Sequence, residues 1–161
     1  MNEAGPRSNG PLIEARGLNK NFGPIPALAG VDLELAGGQV IGLLGENGCG
    51  KTTLLKVLAG VMQDHAGRVR IAGRRLGPET KACVSFLPDA NYLKDSATLS
   101  QCIKMFSDFF PDFRADKASD MIKFFGLAEG MKLKQMSKGM REKAQIALAM
   151  SRDAKVFLLD E

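Results

Sequence analysis

Eight consecutive residues, Gly45-Glu46-Asn47-Gly48-Cys49-Gly50-Lys51-Thr52, constrain this chain more than any other feature of it. An apolar run, Val40, Ile41, Leu43 and Leu44, leads into them, and Leu54, Leu55, Val57 and Leu58 follow before Gly60. The spacing predicts a strand buried on both faces at the centre of a parallel sheet, then a glycine loop, then a packed helix over residues 51–59 ended by a glycine cap. Such glycines let successive backbone N–H groups turn inward around phosphate oxygens, and the helix N-terminus adds its dipole. In this GxxxxGK[ST] pattern Lys51 reaches the β- and γ-phosphates and Thr52 holds Mg²⁺ through its hydroxyl. Gly45, Asn47, Gly48, Cys49, Gly50, Lys51, Thr52 and Thr53 are therefore the expected triphosphate-binding residues.

A second carboxylate-bearing edge is expected where Val156-Phe157-Leu158-Leu159 ends in Asp160. Four apolar residues predict another buried strand, and ligands of open α/β sheets bind at the carboxyl ends of strands. Asp160 is thus a candidate Mg²⁺ ligand. Glu161, one residue on, is the candidate to orient or deprotonate the water that attacks the γ-phosphate. Ser137 is placed to cap a helix over residues 138–151, and with Gly139 it forms a further potential anion site at that helix start.

The rest of the chain supplies the frame. Val31, Leu33 and Leu35 alternate, as does the segment Arg68 to Ile71, so an antiparallel β region is expected, beginning with a short strand at residues 12–15. Residues 83–87 predict one more strand. Ile103, Phe106 and Phe110, then Ala115, Ala118, Ile122 and Phe125, recur at helical spacing on either side of Pro111. Six of the nine phenylalanines fall in this stretch, which predicts a helical subdomain with its own core.

Composition narrows the function classes. At 161 residues, 45% hydrophobic and 25% charged, the chain fits one globular domain interrupted by a small subdomain, and excludes wholesale disorder. Its apolar runs are a fraction of the ~20 residues a spanning helix needs. Lys plus Arg number 22 against 18 acidic residues, with no basic arm, so nucleic acid is not an expected partner. Lys132, Lys134, Lys138, Arg141 and Lys143 read either as a solvated face or as a local field for an anion. Three cysteines, at spacings that fit neither a disulfide framework nor a zinc site, indicate a reducing compartment, with Cys83 and Cys102 as core filler. Residues 1–11, with Gly5, Pro6, Gly10 and Pro11, read as a flexible tail rather than a signal peptide. His65 reads as a surface turn residue.

A phosphate loop, then Met136-Ser137-Lys138-Gly139-Met140, then a Walker B strand ending Asp160-Glu161, resembles in order the ATP-binding subunits of ABC transporters. Over residues 12–161 the resemblance implies an α/β phosphate-loop NTPase core of the RecA-like kind, with an N-terminal antiparallel β region and an inserted helical subdomain. Its parts would be a β-rich core (12–88), the helical subdomain (89–137), and the signature helix with the Walker B strand (138–161). Residues 136–140 depart from the family's LSGGQ signature at three positions but keep Ser137 and Gly139, whose counterparts bind the γ-phosphate across a dimer. Phe22 matches the adenine-stacking aromatic, a core role being the alternative. Asp89 stands where the family has a glutamine that senses Mg²⁺, so it is either a closer metal ligand or a cap for the following helix.

The resemblance implies ATP and Mg²⁺ as cofactors, ATP hydrolysis, a homo- or heterodimer, and a transmembrane permease on the inner face of the cell membrane. The family's switch histidine and later strands are expected to be missing, as in a fragment that stops after Glu161. A nucleotide-binding module without turnover, or a soluble ATPase of the same family acting on nucleic acid or ribosomes, are the other readings.

Overall fold

A computed structural model describes residues 10–160. The chain divides between Lys81 and Ala82 into two compact units. The reading of residues 1–11 as a tail falls largely outside the described residues.

In the first unit, β1 (Ile13–Phe22) and β2 (Ile25–Leu35) form an antiparallel hairpin. β3 (Ala66–Ile71) joins β1 on its other side, and the two-residue β4 (Arg74–Arg75) closes the sheet in the order β2-β1-β3-β4. Helix α1 (Lys51–Leu58) packs its buried Leu54, Val57 and Leu58 inward and ends at Gly60 in a left-handed cap, as the sequence predicts.

β1 is far longer than the alternation at residues 12–15 suggests, for a definable reason. Ile13 and Ala15 face inward, but so do Leu18 and Lys20, which have the opposite parity. A bulge between Ala15 and Leu18 inserts one extra residue against both β2 and β3 and flips the inward set. Asp32 accepts from the Gly17 N–H at 2.6 Å, so the bulged amide keeps a partner. Period-two counting breaks at this point, and the polar residues beyond it look like loop.

Residues 40–44 differ more sharply from expectation. They form no strand among the described residues, and Val40 and Leu44 are fully exposed at 105% and 93%. Apolar sequence creates the demand for burial, whereas a strand also needs a neighbour to accept its ladder hydrogen bonds. No described residue pairs with this segment.

The second unit begins with β5 (Val84–Leu87), preceded by the short helix α2 (Pro78–Ala82) that crosses the division. Helices α3 (Leu99–Phe109), α4 (Ala115–Phe124) and α5 (Lys138–Met150) follow, then β6 (Val156–Leu159). β5 and β6 are parallel, with Val84 opposite Val156 and Leu87 opposite Leu159. That pairing places both strands of the parallel pair in the second unit.

The helical core gathers Leu99, Ile103, Phe106, Ala118, Ile122, Leu133, Ala144 and Leu148. Thr98 and Gln101 close a capping box that starts α3. Phe106 is buried and Phe110, Phe113 and Phe125 pack against the core, but Phe109 and Phe124 are 74% and 85% exposed. The aromatic stretch is therefore only partly core, because these two fall on the outer faces of α3 and α4. Cys102 is buried as expected, and Cys83 is half-buried.

Arg152, just past α5, holds this unit together. It is 5% exposed and pairs bidentately with Asp112 in the α3–α4 connection at 3.0–3.2 Å. It also donates to the carbonyls of Val84 and Ala82 at 2.8 Å and lies 4.3 Å above the Phe110 ring. Nε, Nη1 and Nη2 of the guanidinium thus each donate to at least one acceptor. Arg152→Met should lower unfolding free energy by about 3 kcal/mol, because Asp112 and two carbonyls lose their donor. Urea denaturation beside Asp112→Asn measures it, and an Arg152→Met midpoint matching wild type would contradict this account.

Candidate functional site

The phosphate loop belongs to the first unit. Cys49 N–H donates to the Glu46 carbonyl at 3.3 Å, so the loop turns back before α1 begins. Gly50 is the N-cap residue of α1, with φ of 96° and no side-chain cap, so the donors of the first helical turn face the loop without a competing hydroxyl or carboxylate. Only glycine fits there: a Cβ on Gly50 would stand 2.3 Å from the Ala27 carbonyl oxygen of β2. The absent Cβ thus seats the loop against the sheet.

Lys51 folds back over this loop. Its Nζ donates to the carbonyls of Gly45 at 2.8 Å and Glu46 at 2.9 Å. The ammonium therefore sits within the turn that the sequence assigns to phosphate, and the remaining loop residues, Asn47, Gly48 and Cys49, are exposed. Thr52 is exposed in the first turn of α1, and Thr53 is half-buried. A triphosphate fits this donor set, which consists of helix N–H groups, one ammonium and a hydroxyl for Mg²⁺. No three His, Cys, Asp or Glu side chains cluster among the described residues.

Phe22 lies at the end of β1 and is 50% exposed, so the core alternative does not hold. Lys20 Nζ stands 5.1 Å from its ring centroid and is fixed there by Asp64 at 2.8 Å. The Lys20 ammonium in turn holds the Asp64 carboxyl below the usual carboxylate range, so the pair persists above that range and is lost as pH falls through the lowered value. This cation on an aromatic face was not legible in the sequence, because the Asp64 that holds Lys20 lies 44 residues away.

The second unit carries the remaining candidates. Leu87 and Leu159 are in register, and Asp160 N–H donates to the Leu87 carbonyl at 2.9 Å. Asp160 and Asp89 therefore leave the same carboxyl edge of the parallel pair. Asp160 is 6% exposed, whereas Asp89 is exposed. Asp89 does not cap a helix: α3 starts ten residues later, and Thr98 caps it. Ser137 is the N-cap of α5 as expected, its Oγ accepting from Met140 N–H at 3.3 Å, and Gly139 is exposed in the first turn. Of the basic cluster, Lys138 pairs with Glu142 at 3.7 Å and Arg141 with Asp95 at 2.7 Å. Those two contacts favour the solvated-face reading for both cations. Glu161 lies outside the described residues.

The ABC transporter family profile matches residues 28–161. The chain is 32% identical to the ribose import ATP-binding protein RbsA of Cereibacter sphaeroides, over 95% of this chain and 33% of the relative. It is 30% identical to the Fe(3+) ions import ATP-binding protein FbpC of Mesorhizobium japonicum, over 93% and 44% respectively. The chain thus spans a third to under a half of these relatives' length. Among solved structures, an ATP-binding subunit of an ABC transporter superposes with a TM-score of 0.83 at 26% identity, covering 93% of this chain and 66% of the other. The fold is thereby that of an α/β phosphate-loop NTPase.

Gly50→Ala should cost about 1–3 kcal/mol through left-handed strain and the clash with Ala27. A lowered thermal midpoint of the purified chain is the expected outcome, and an unchanged one would show that the loop does not need this close approach.

Proposed function

The chain belongs to the ABC transporter family, and from that premise we propose that it binds ATP with Mg²⁺ at residues 45–53 and hydrolyses it to drive a membrane permease. The observation that carries the reading is Lys51, hydrogen-bonded to Gly45 and Glu46 at the uncapped start of α1. Binding exchanges these two carbonyl acceptors for phosphate oxygens, whose own negative charge makes the bonds to the same ammonium stronger. When bound, the nucleotide supplies the phosphoanhydride bond that water cleaves.

Around that bond each residue has a role. Backbone N–H groups of residues 48–52 hold the phosphates, Thr52 Oγ1 holds the metal, and Phe22 offers its exposed ring to the adenine. Asp160 and Asp89, sharing one sheet edge, are the carboxylates for the metal and its water. Glu161 orients or deprotonates the attacking water. Two subunits packed head to tail would bring Ser137 and Gly139 of one to the γ-phosphate held by the other. No helix among the described residues is long and apolar enough to cross a membrane, so the reading places the chain on the cytoplasmic face through its permease partner.

Binding of a fluorescent ATP analogue with Mg²⁺ tests the nucleotide site. Lys51→Ala should abolish it, and full retention would sink the proposal. Phe22→Ala should weaken the same signal by about 1–3 kcal/mol, the usual worth of an aromatic–base stack, while Phe22→Trp retains it. Phosphate release in the same samples reports turnover.

A further inference from the structure

A cavity of about 340 Å³ lies in the first unit, beyond the carboxyl end of α1 and so at the opposite end of that helix from the phosphate loop. An eight-residue helix separates the two by about 12 Å. Arg68, Arg70, Arg75, Lys81 and His65 line it, with Gly60, Gly67 and Gly77 giving access to backbone, and no carboxylate among the lining residues. From these side chains we propose that the cavity is a second anion site, separate from the nucleotide site, which takes a compact ligand bearing two or more phosphoryl groups.

Charge pairing across the sheet is the main argument. Arg70 stands directly opposite Arg75 in the β3–β4 register, and Arg68 opposite Arg16 in the β1–β3 register. Like charges in such positions repel and destabilise a sheet. The acids of this face do not relieve them: Glu14, in register with Arg70, and Glu34 both pair with Arg16. Arg74 is likewise taken by Glu79 at 2.6 Å. Among the described residues Arg68, Arg70, Arg75 and Lys81 make no ion pair. Four cations therefore line one concavity without an ion pair among them, while Glu14, opposite Arg70 and beside this concavity, is held by Arg16.

The chemistry of these groups selects the ligand. Guanidinium forks bind phosphate oxygens bidentately, and two of them facing each other across a strand pair suit a ligand with phosphoryl groups at both ends. Lys81 adds a point charge: its aliphatic stem lies along Gly60, where a Cβ would come within 3.1 Å of Cε. The carboxyl end of α1 opposes an anion, but its partial charge amounts to about half a unit against four full charges. The volume falls at the small end of the range for ligand pockets, which favours a small polyphosphate-like anion over a polymer.

The test uses Lys51→Ala protein, which disables the phosphate loop, titrated calorimetrically with sodium tripolyphosphate. One-to-one binding that weakens with added salt is expected, with affinity falling at least about tenfold when Arg70→Gln and Arg75→Gln are added. Should the glutamine protein melt early, Arg75→Lys keeps the charge but loses the fork, and a several-fold loss is expected there too. A second arm floats the same proteins with vesicles of phosphatidylcholine and cardiolipin, whose headgroup carries two phosphates. Arginine-dependent binding to tripolyphosphate identifies a soluble ligand, and arginine-dependent flotation identifies a lipid headgroup. Binding that is indifferent to Arg70 and Arg75, or absent from both arms, overturns the proposal. ATP-analogue binding by the Arg70→Gln/Arg75→Gln protein with Lys51 intact should match wild type, so failure here is separable from failure of the nucleotide site.

Discussion

The second unit depends on a single buried guanidinium. Arg152 ties the start of β5, the α3–α4 connection and the end of α5 to one point, through Ala82, Val84, Asp112 and the Phe110 ring. Around it the backbone pairs as well: Arg114 donates to the Ser151 carbonyl and Asp153 to that of Asp112. A buried charge is costly unless it is paired and hydrogen-bonded, and here the guanidinium meets the Asp112 carboxylate on one segment and the Ala82 and Val84 carbonyls on another. This fixes the angle at which the chain leaves α5, and therefore where β6 begins. Lys155 and Val156 both donate to the Cys83 carbonyl, so the parallel register of β5 with β6 follows from that departure. The position of Asp160 at the sheet edge is the end of the same sequence of constraints.

The polar interior of this unit is unusually well matched to its helices. Ser85 reaches from β5 to the Ala149 carbonyl, Ser151 to that of Ala147, and Gln145 to Asn91. No buried side-chain nitrogen or oxygen among the described residues lacks a partner. The Ser85 and Gln145 bonds oppose sliding of α5 along its axis, since a one-turn shift would break both, whereas the Ser151 bond lies within the helix and moves with it.

The legible parts of the sequence were those in which the local pattern and the final environment coincide. The glycine loop, α1 with its Gly60 stop, the Ser137 cap and the strand at Val156–Leu159 are all local signals read over fewer than a dozen residues. The illegible parts depended on partners far along the chain. Arg152 carries no signal in the sequence because Asp112 lies 40 residues away. β1 looked short because a bulge inverted its alternation, and residues 40–44 looked like a sheet centre because hydrophobicity says nothing about whether a ladder neighbour exists. At the site, loop residues followed from spacing, whereas the exposure of Phe22 and the Lys20–Asp64 pair beside it followed only from the hairpin register.

The hold that Lys51 keeps on Gly45 and Glu46 has a kinetic side. A loop already closed on its own ammonium has lost its conformational freedom before any ligand arrives, so the entropy of ordering is spent in folding rather than in association. The encounter complex must then break two good hydrogen bonds before the final ones can form. On the proposed reading of this loop, part of the ordering that a ligand would otherwise impose is already present in the fold, and the exchange of two carbonyl acceptors for phosphate oxygens is the step left to binding.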